Sequence, residues 1–92
     1  MPRPRMRRRL RGTPGVVFYK PQGVPLNSLE VIEISLEEYE ALRLRYVEKL
    51  NQVECAKQMN TSQSTFQRIL SRALTHTSQA IVRGNAIRIA KE

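Results

Sequence analysis

The chain has 92 residues, a net charge of +8, 40% hydrophobic residues and 5% aromatic residues. Its length allows one small domain with a modest Leu/Ile/Ala core and no large substrate cavity. No apolar run reaches the roughly 18 residues that a membrane span needs, and no apolar segment of the signal-peptide kind follows the basic start MPRPRMRRRLRG.

The single cysteine, Cys55, has no internal disulfide partner, which fits a reducing cytoplasm. The positive charge is unevenly spread. Residues 1–12 carry Arg3, Arg5, Arg7, Arg8, Arg9 and Arg11 and no acid, residues 13–54 hold four Lys/Arg against seven Glu, and residues 55–91 carry six Lys/Arg and no acid. Two basic blocks flanking an acidic middle point to a polyanionic partner, nucleic acid before membrane.

In chain order, residues 1–14, rich in Arg and Pro, are expected to form a disordered arm, followed by one domain over 15–92. The β-branched and aromatic run Val16 to Lys20 predicts a strand, closed by Pro21, Gly23 and Pro25. Glu30 to Ile34 predicts a second strand with Ile32 and Ile34 on one face. Ser35 and Glu38 have the spacing of a capping box and predict a helix from Leu36 to about Glu48. Its expected core stripe is Leu36, Tyr39, Leu42, Tyr46 and Leu50 or Val47. Asn51 opens a second helix that buries Val53, Ala56 and Met59, with Asn60 in a left-handed turn behind it. Ser62 caps a third helix with Phe66, Ile69, Leu70, Ala73, Leu74, Thr77, Ala80 and Ile81 inward and Gly84 as its stop. The tail Ala86 to Ile89 alternates weakly and predicts a strand that pairs with one of the first two. The fold class is therefore mainly α: three helices, short strands near both ends, winged-helix-like in outline.

Two helices joined by a short turn, the second long and basic, match the helix-turn-helix of DNA-binding proteins. The steric demands are met over residues 51–72: small Ala56 where the helices cross, Asn60 in the turn, and Phe66 and Ile69 as anchors three apart. An acid-free helix front then offers Gln63, Ser64, Gln67 and Arg68 for base reading, since Gln pairs bidentately with adenine and Arg with guanine. Gln52, Ser62 and Arg72, with Arg3, Arg5, Arg7, Arg8 and Arg9 of the arm, are the candidate contacts to the DNA backbone or minor groove.

The segments MPRPR-x-RRR at the start, FYKP at 18–21, GVPL at 23–26, EALRL at 40–44 and TFQRIL at 65–70 resemble the uncharacterised protein family 0251 (domain of unknown function 134). The likeness covers nearly the whole chain. It implies small prokaryotic proteins expected to bind DNA, with a helix-turn-helix over residues 51–72 similar to that of the fourth region of sigma factors. The chain departs from the family pattern at Arg11, where members commonly carry cysteine, and at Asn60 and Thr61, where glycine and an apolar residue are usual.

Other chemistry finds little support. His76 has no Cys or carboxylate at metal-ligand spacing, so no metal is expected. Cys55 has no nearby histidine in sequence and reads as a small buried hydrophobe. Glu37 and Glu38 suit a helix N-terminus, and Gly12 and Gly15 lack the strand and helix of a phosphate loop. The expectation is a non-enzymatic, cofactor-free, cytoplasmic transcriptional regulator binding double-stranded DNA, with a homodimer and RNA polymerase as further expected partners. Two rivals stand beside it. An RNA-binding or ribosome-associated protein fits the arm but would present exposed aromatics for stacking. A module contacting polymerase or another regulator would use the acidic first helix.

Overall fold

The structure is a computed structural model that describes residues 16–89. The arginine arm and the last three residues lie outside the described residues, and with them the expected backbone contacts Arg3, Arg5, Arg7, Arg8 and Arg9. The elements are β1 (Val17–Tyr19), a 3-10 turn (Leu26–Ser28), β2 (Val31–Ile34), α1 (Leu36–Leu42), a π-helical turn (Arg43–Val47), α2 (Gln52–Gln58), α3 (Gln63–Arg83) and β3 (Ala86–Ile89). Mainly helical with short strands near both ends, this is the architecture expected from sequence.

The tail strand does more than pair with one neighbour. It lies in the middle of a three-stranded sheet of order β1-β3-β2, antiparallel to β1 and parallel to β2. A parallel pair needs a long crossover, and all three helices supply it. The register sets Ile34 opposite Ile89 and Ile32 opposite Ile87, while Glu33 lies opposite Arg88 on the other face and forms an ion pair with it. Ile34, Ala86 and Ile89 are buried.

The main core joins the three helices through Ala41, Leu44, Cys55, Ala56, Phe66, Ile69 and Leu70, with Leu42, Leu50 and Met59 packed against it. Ala41, Cys55 and Ala56 are small, which lets the helix backbones approach closely over Phe66, the largest fully buried side chain. Ala73 and Ala80 continue the buried face of α3 toward the sheet.

Three sequence expectations about burial need correction. On α1 and the π turn the buried line is Glu38, Ala41 and Leu44, while Leu36, Tyr39 and Leu42 are half-buried and Tyr46 and Val47 are exposed. The cause is local. Glu48 N–H donates to the carbonyl of Arg43, five residues back at 2.9 Å, and this wider turn rotates Leu44 inward and Tyr46 outward relative to a continuous α-helix. Val53 on α2 is exposed because Cys55, two positions on, takes the inward place. On α3, Leu74 and Ile81 are exposed because Ala73 and Ala80, one position before each, take the buried face of the helix.

Candidate nucleic-acid interface

The turn between α2 and α3 is built by backbone chemistry that sequence alone could foresee only in outline. Asn51 caps α2, its Oδ1 accepting the N–H of Glu54 at 2.8 Å. At the other end Asn60 adopts φ 58°, the left-handed conformation. The N–H of Thr61 donates to the carbonyl of Ala56 at 2.9 Å and that of Asn60 to Lys57 at 3.0 Å. These two bonds form a Schellman motif, which satisfies the orphan carbonyls and turns the chain sharply. Asparagine bears the positive φ at lower cost than most residues because its short polar side chain tolerates that region.

Four residues, Met59 to Ser62, separate the helices. The Oγ of Ser62 accepts the N–H of Thr65 at 3.1 Å and so starts α3. From there 21 residues run without an acid in the first turn. Phe66, Ile69 and Leu70 are buried against α1 and α2, so the helical period turns Gln63, Ser64, Gln67 and Arg68 outward, and all four are exposed. The structure thus brings every expected base-reading residue onto one solvent-facing surface.

Within that surface the side chains bond only weakly to one another. The Nε2 of Gln67 lies 3.5 Å from the Oγ of Ser71, and an Arg68 Nη2 donates to Thr65 Oγ1 at 3.4 Å. Ion pairs among the described residues engage Arg43, Arg72, His76 and Arg88, and none engages Arg68 or Lys57. Ser62 is exposed at the helix start, and Gln52 is half-buried at the first position of α2. Lys57, exposed in the last turn of α2 and absent from the sequence-based set, adds a positive charge beside the turn.

Arg72 stands apart from the other candidates. It is 56% exposed, yet its Nε lies 3.5 Å from Oε2 of Glu38, a side chain only 5% exposed. Glu38 Oε1 accepts the N–H of Ser35 at 3.3 Å, completing the capping box, and lies 3.1 Å from His76 Nδ1. With the carboxylate ionised, that contact needs the proton on Nδ1. His76, solitary in sequence, therefore has a carboxylate partner brought from 38 positions away. The signal was present but faint: a basic pair at Arg72 and His76, four residues apart on one helix, and an acid at the third position of a capping box.

The remaining titratable features are structural. The Arg43 guanidinium holds its proton more tightly than usual, chiefly through its hydrogen bond to Glu40, against a smaller opposing effect of burial. Burial pushes the Cys55 thiol up from its ordinary value. Among the described residues no cluster of three or more His, Cys, Asp or Glu could hold a metal ion, and no helix is long and apolar enough to cross a membrane.

Comparison with known proteins matches no solved structure, but relatives are plain at the level of sequence. A UPF0251 protein of Dehalococcoides mccartyi is 48% identical over 97% of this chain and 76% of its own length. One from Pelotomaculum thermopropionicum is 44% identical over 97% of this chain and 67% of its own. One from Moorella thermoacetica is 46% identical over 97% of this chain and 60% of its own, so the chain spans only part of these relatives. A family model described as "Protein of unknown function DUF134" matches residues 1–91. With that match and relatives this similar along nearly its whole length, the chain belongs to the UPF0251 family.

Proposed function

We propose that this protein binds double-stranded DNA by laying the front of α3 in the major groove, and that it acts as a non-enzymatic, cytoplasmic regulator of transcription. The observation that carries the reading is the exposed, acid-free surface of Gln63, Ser64, Gln67 and Arg68 behind a Schellman turn. A major groove about 12 Å wide admits one α-helix. Gln63 and Gln67 carry the paired donor and acceptor that adenine matches, and Arg68 the fork that guanine matches. Ser62, Gln52 and Lys57 flank this surface and supply contacts to the sugar-phosphate backbone, which fix register without reading sequence. The six arginines of the first twelve residues add sequence-independent affinity.

The aromatics divide: Phe66 is fully buried and Tyr39 half-buried, whereas Phe18, Tyr19 and Tyr46 are exposed away from the front of α3 and offer the open rings that a single-stranded RNA reading needs, so the choice of polymer is what the experiment must decide. The test is a titration of labelled duplex DNA, single-stranded DNA and RNA at two salt concentrations, followed by selection of sites from random duplexes. Duplex preference, with Gln67→Ala altering the selected sequence and Arg68→Ala relaxing one position by about 1–3 kcal/mol, is the expected result. Equal affinity for all three polymers, or no binding to any, overturns the reading.

A further inference from the structure

We propose that Glu38 is a positioning residue for DNA binding: it restrains Arg72 and thereby sets how many phosphates the α3 surface can neutralise. The inference rests on the DNA-binding reading and deepens it. Glu38 is the one buried charged residue among those described, at 4% exposure. Its carboxylate gathers three groups: the backbone N–H of Ser35 at 3.3 Å, His76 Nδ1 at 3.1 Å and Arg72 Nε at 3.5 Å.

Removing that carboxylate from water is costly unless it is paired, and Arg72 provides the permanent positive charge. Arg72 lies one helical turn beyond Arg68, on the border between the outward surface and the core face. Arg68 is free of acids among the described residues, whereas Arg72 is held. The same guanidinium thus stands between two anions, the internal carboxylate and an approaching phosphate, and the hold of the carboxylate keeps it from neutralising the phosphate in full. Its 56% exposure leaves the remaining guanidinium N–H groups open to that second anion.

The consequence runs against intuition. Removing a buried, well-bonded acid should strengthen nucleic-acid binding, because it releases Arg72 to pair fully with phosphate. Each phosphate neutralised steepens the dependence of log K on log salt by about 0.9.

The experiment measures that slope on a single duplex for the wild type and for Glu38→Gln, Glu37→Gln, Arg72→Ala and the double variant Glu38→Gln/Arg72→Ala. Glu37 is exposed on the same helix, so Glu37→Gln makes the same change of net charge without freeing Arg72. We expect Glu38→Gln to steepen the slope by about 0.9, Glu37→Gln to leave it nearly unchanged, and the gain to vanish in the double variant. A slope in Glu38→Gln equal to that in Glu37→Gln overturns the proposal. So does an Arg72→Ala loss as large in the wild type as in the Glu38→Gln background.

A second measurement does not depend on the stability of the Glu38 variant. In the wild-type free protein the Arg72 Nε should show more restricted motion in 15N relaxation than that of Arg68, which has no acid partner among the described residues, and its signal should shift when a bound duplex is present. Motion as free as that of Arg68 overturns the restraint outright, and restriction without a shift in a formed complex overturns its link to phosphate. Restriction in a protein that binds no duplex overturns the DNA-binding reading and the proposed link together, while the Glu38–Arg72 restraint stands.

Discussion

His76 Nδ1 lies 3.1 Å from Glu38 Oε1, joining the middle of α3 to the first turn of α1 across 38 positions of sequence. The contact sits beside the core rather than within the outward surface, and the same carboxylate closes the capping box of α1. Helix entry and helix packing are therefore settled by one side chain.

The first prediction follows from that sharing. Ser35→Ala removes the hydroxyl that accepts the Glu38 N–H at 3.2 Å and should cost about 1 kcal/mol, the usual penalty for a lost cap. His76→Ala withdraws one partner from a buried carboxylate, with a comparable cost of about 1 kcal/mol. Because both act on Glu38, the double variant should be non-additive. Urea unfolding of the three variants measures this, and strict additivity would show that the two contacts do not share Glu38.

A second prediction concerns the backbone. Lys49 and Asn60 hold φ of 64° and 58°, and Gly84 holds 73°. For Lys49 this left-handed conformation costs roughly 1–2 kcal/mol, so Lys49→Gly should raise stability by up to about 1 kcal/mol after the extra chain entropy of glycine is subtracted. Asn60→Gly should gain less. Gly84→Ala meets no atom within 4 Å and should still destabilise by about 1 kcal/mol, through backbone strain alone. Thermal melting of the three variants checks the order.

A third prediction separates core from surface among residues that the helical period alone treats alike. Phe66 is fully buried, whereas Ile81 is 71% exposed. Phe66→Ala should cost about 3–5 kcal/mol and abolish any activity of the domain by unfolding it. Ile81→Ser and Val53→Ser should change stability by no more than about 0.5 kcal/mol. A large loss in Ile81→Ser would mean that a second surface covers it.

A fourth prediction concerns Cys55. Burial is the main cause that raises its thiol above the ordinary value of 9.0, with Arg45 opposing and Glu54 adding to the rise. The folded chain therefore keeps this proton after the unfolded chain has lost it. Its contribution to stability is flat below about pH 9 and declines as pH climbs toward the folded value. At neutral pH the thiol should react with an alkylating reagent only as fast as the protein opens, and denaturant should speed labelling by orders of magnitude. Rapid labelling of the native protein would contradict the burial.

Much of this was legible in the residues. Ser35, Asn51, Ser62, Asn60 and Gly84 mark helix starts and stops through local hydrogen bonds and backbone preference, and those effects act within a few residues of sequence. Gln63, Ser64, Gln67 and Arg68 were legible for the same reason, since the anchors Phe66 and Ile69 fix which way the helix faces. The α1 stripe was misleading because counting apolar side chains favours Tyr46 over Glu38. Only a partner on another helix makes an acid a core residue, and only the π turn moves Leu44 into the line. Val53, Leu74 and Ile81 were misplaced because periodicity names a face without saying how far its neighbours extend.

The placement of β3 has a consequence for how the chain is made. As the chain leaves the ribosome, β1 and β2 emerge early but, among the described residues, have no hydrogen-bonding neighbour in the sheet until Ala86–Ile89 has been synthesised. Both early strands, and the apolar side chains of Ile32 and Ile34, must wait through the production of all three helices. The third strand is thus a clasp: contacts of long sequence separation are the slow ones to form, and the nascent domain is open at this seam until β3 has been made.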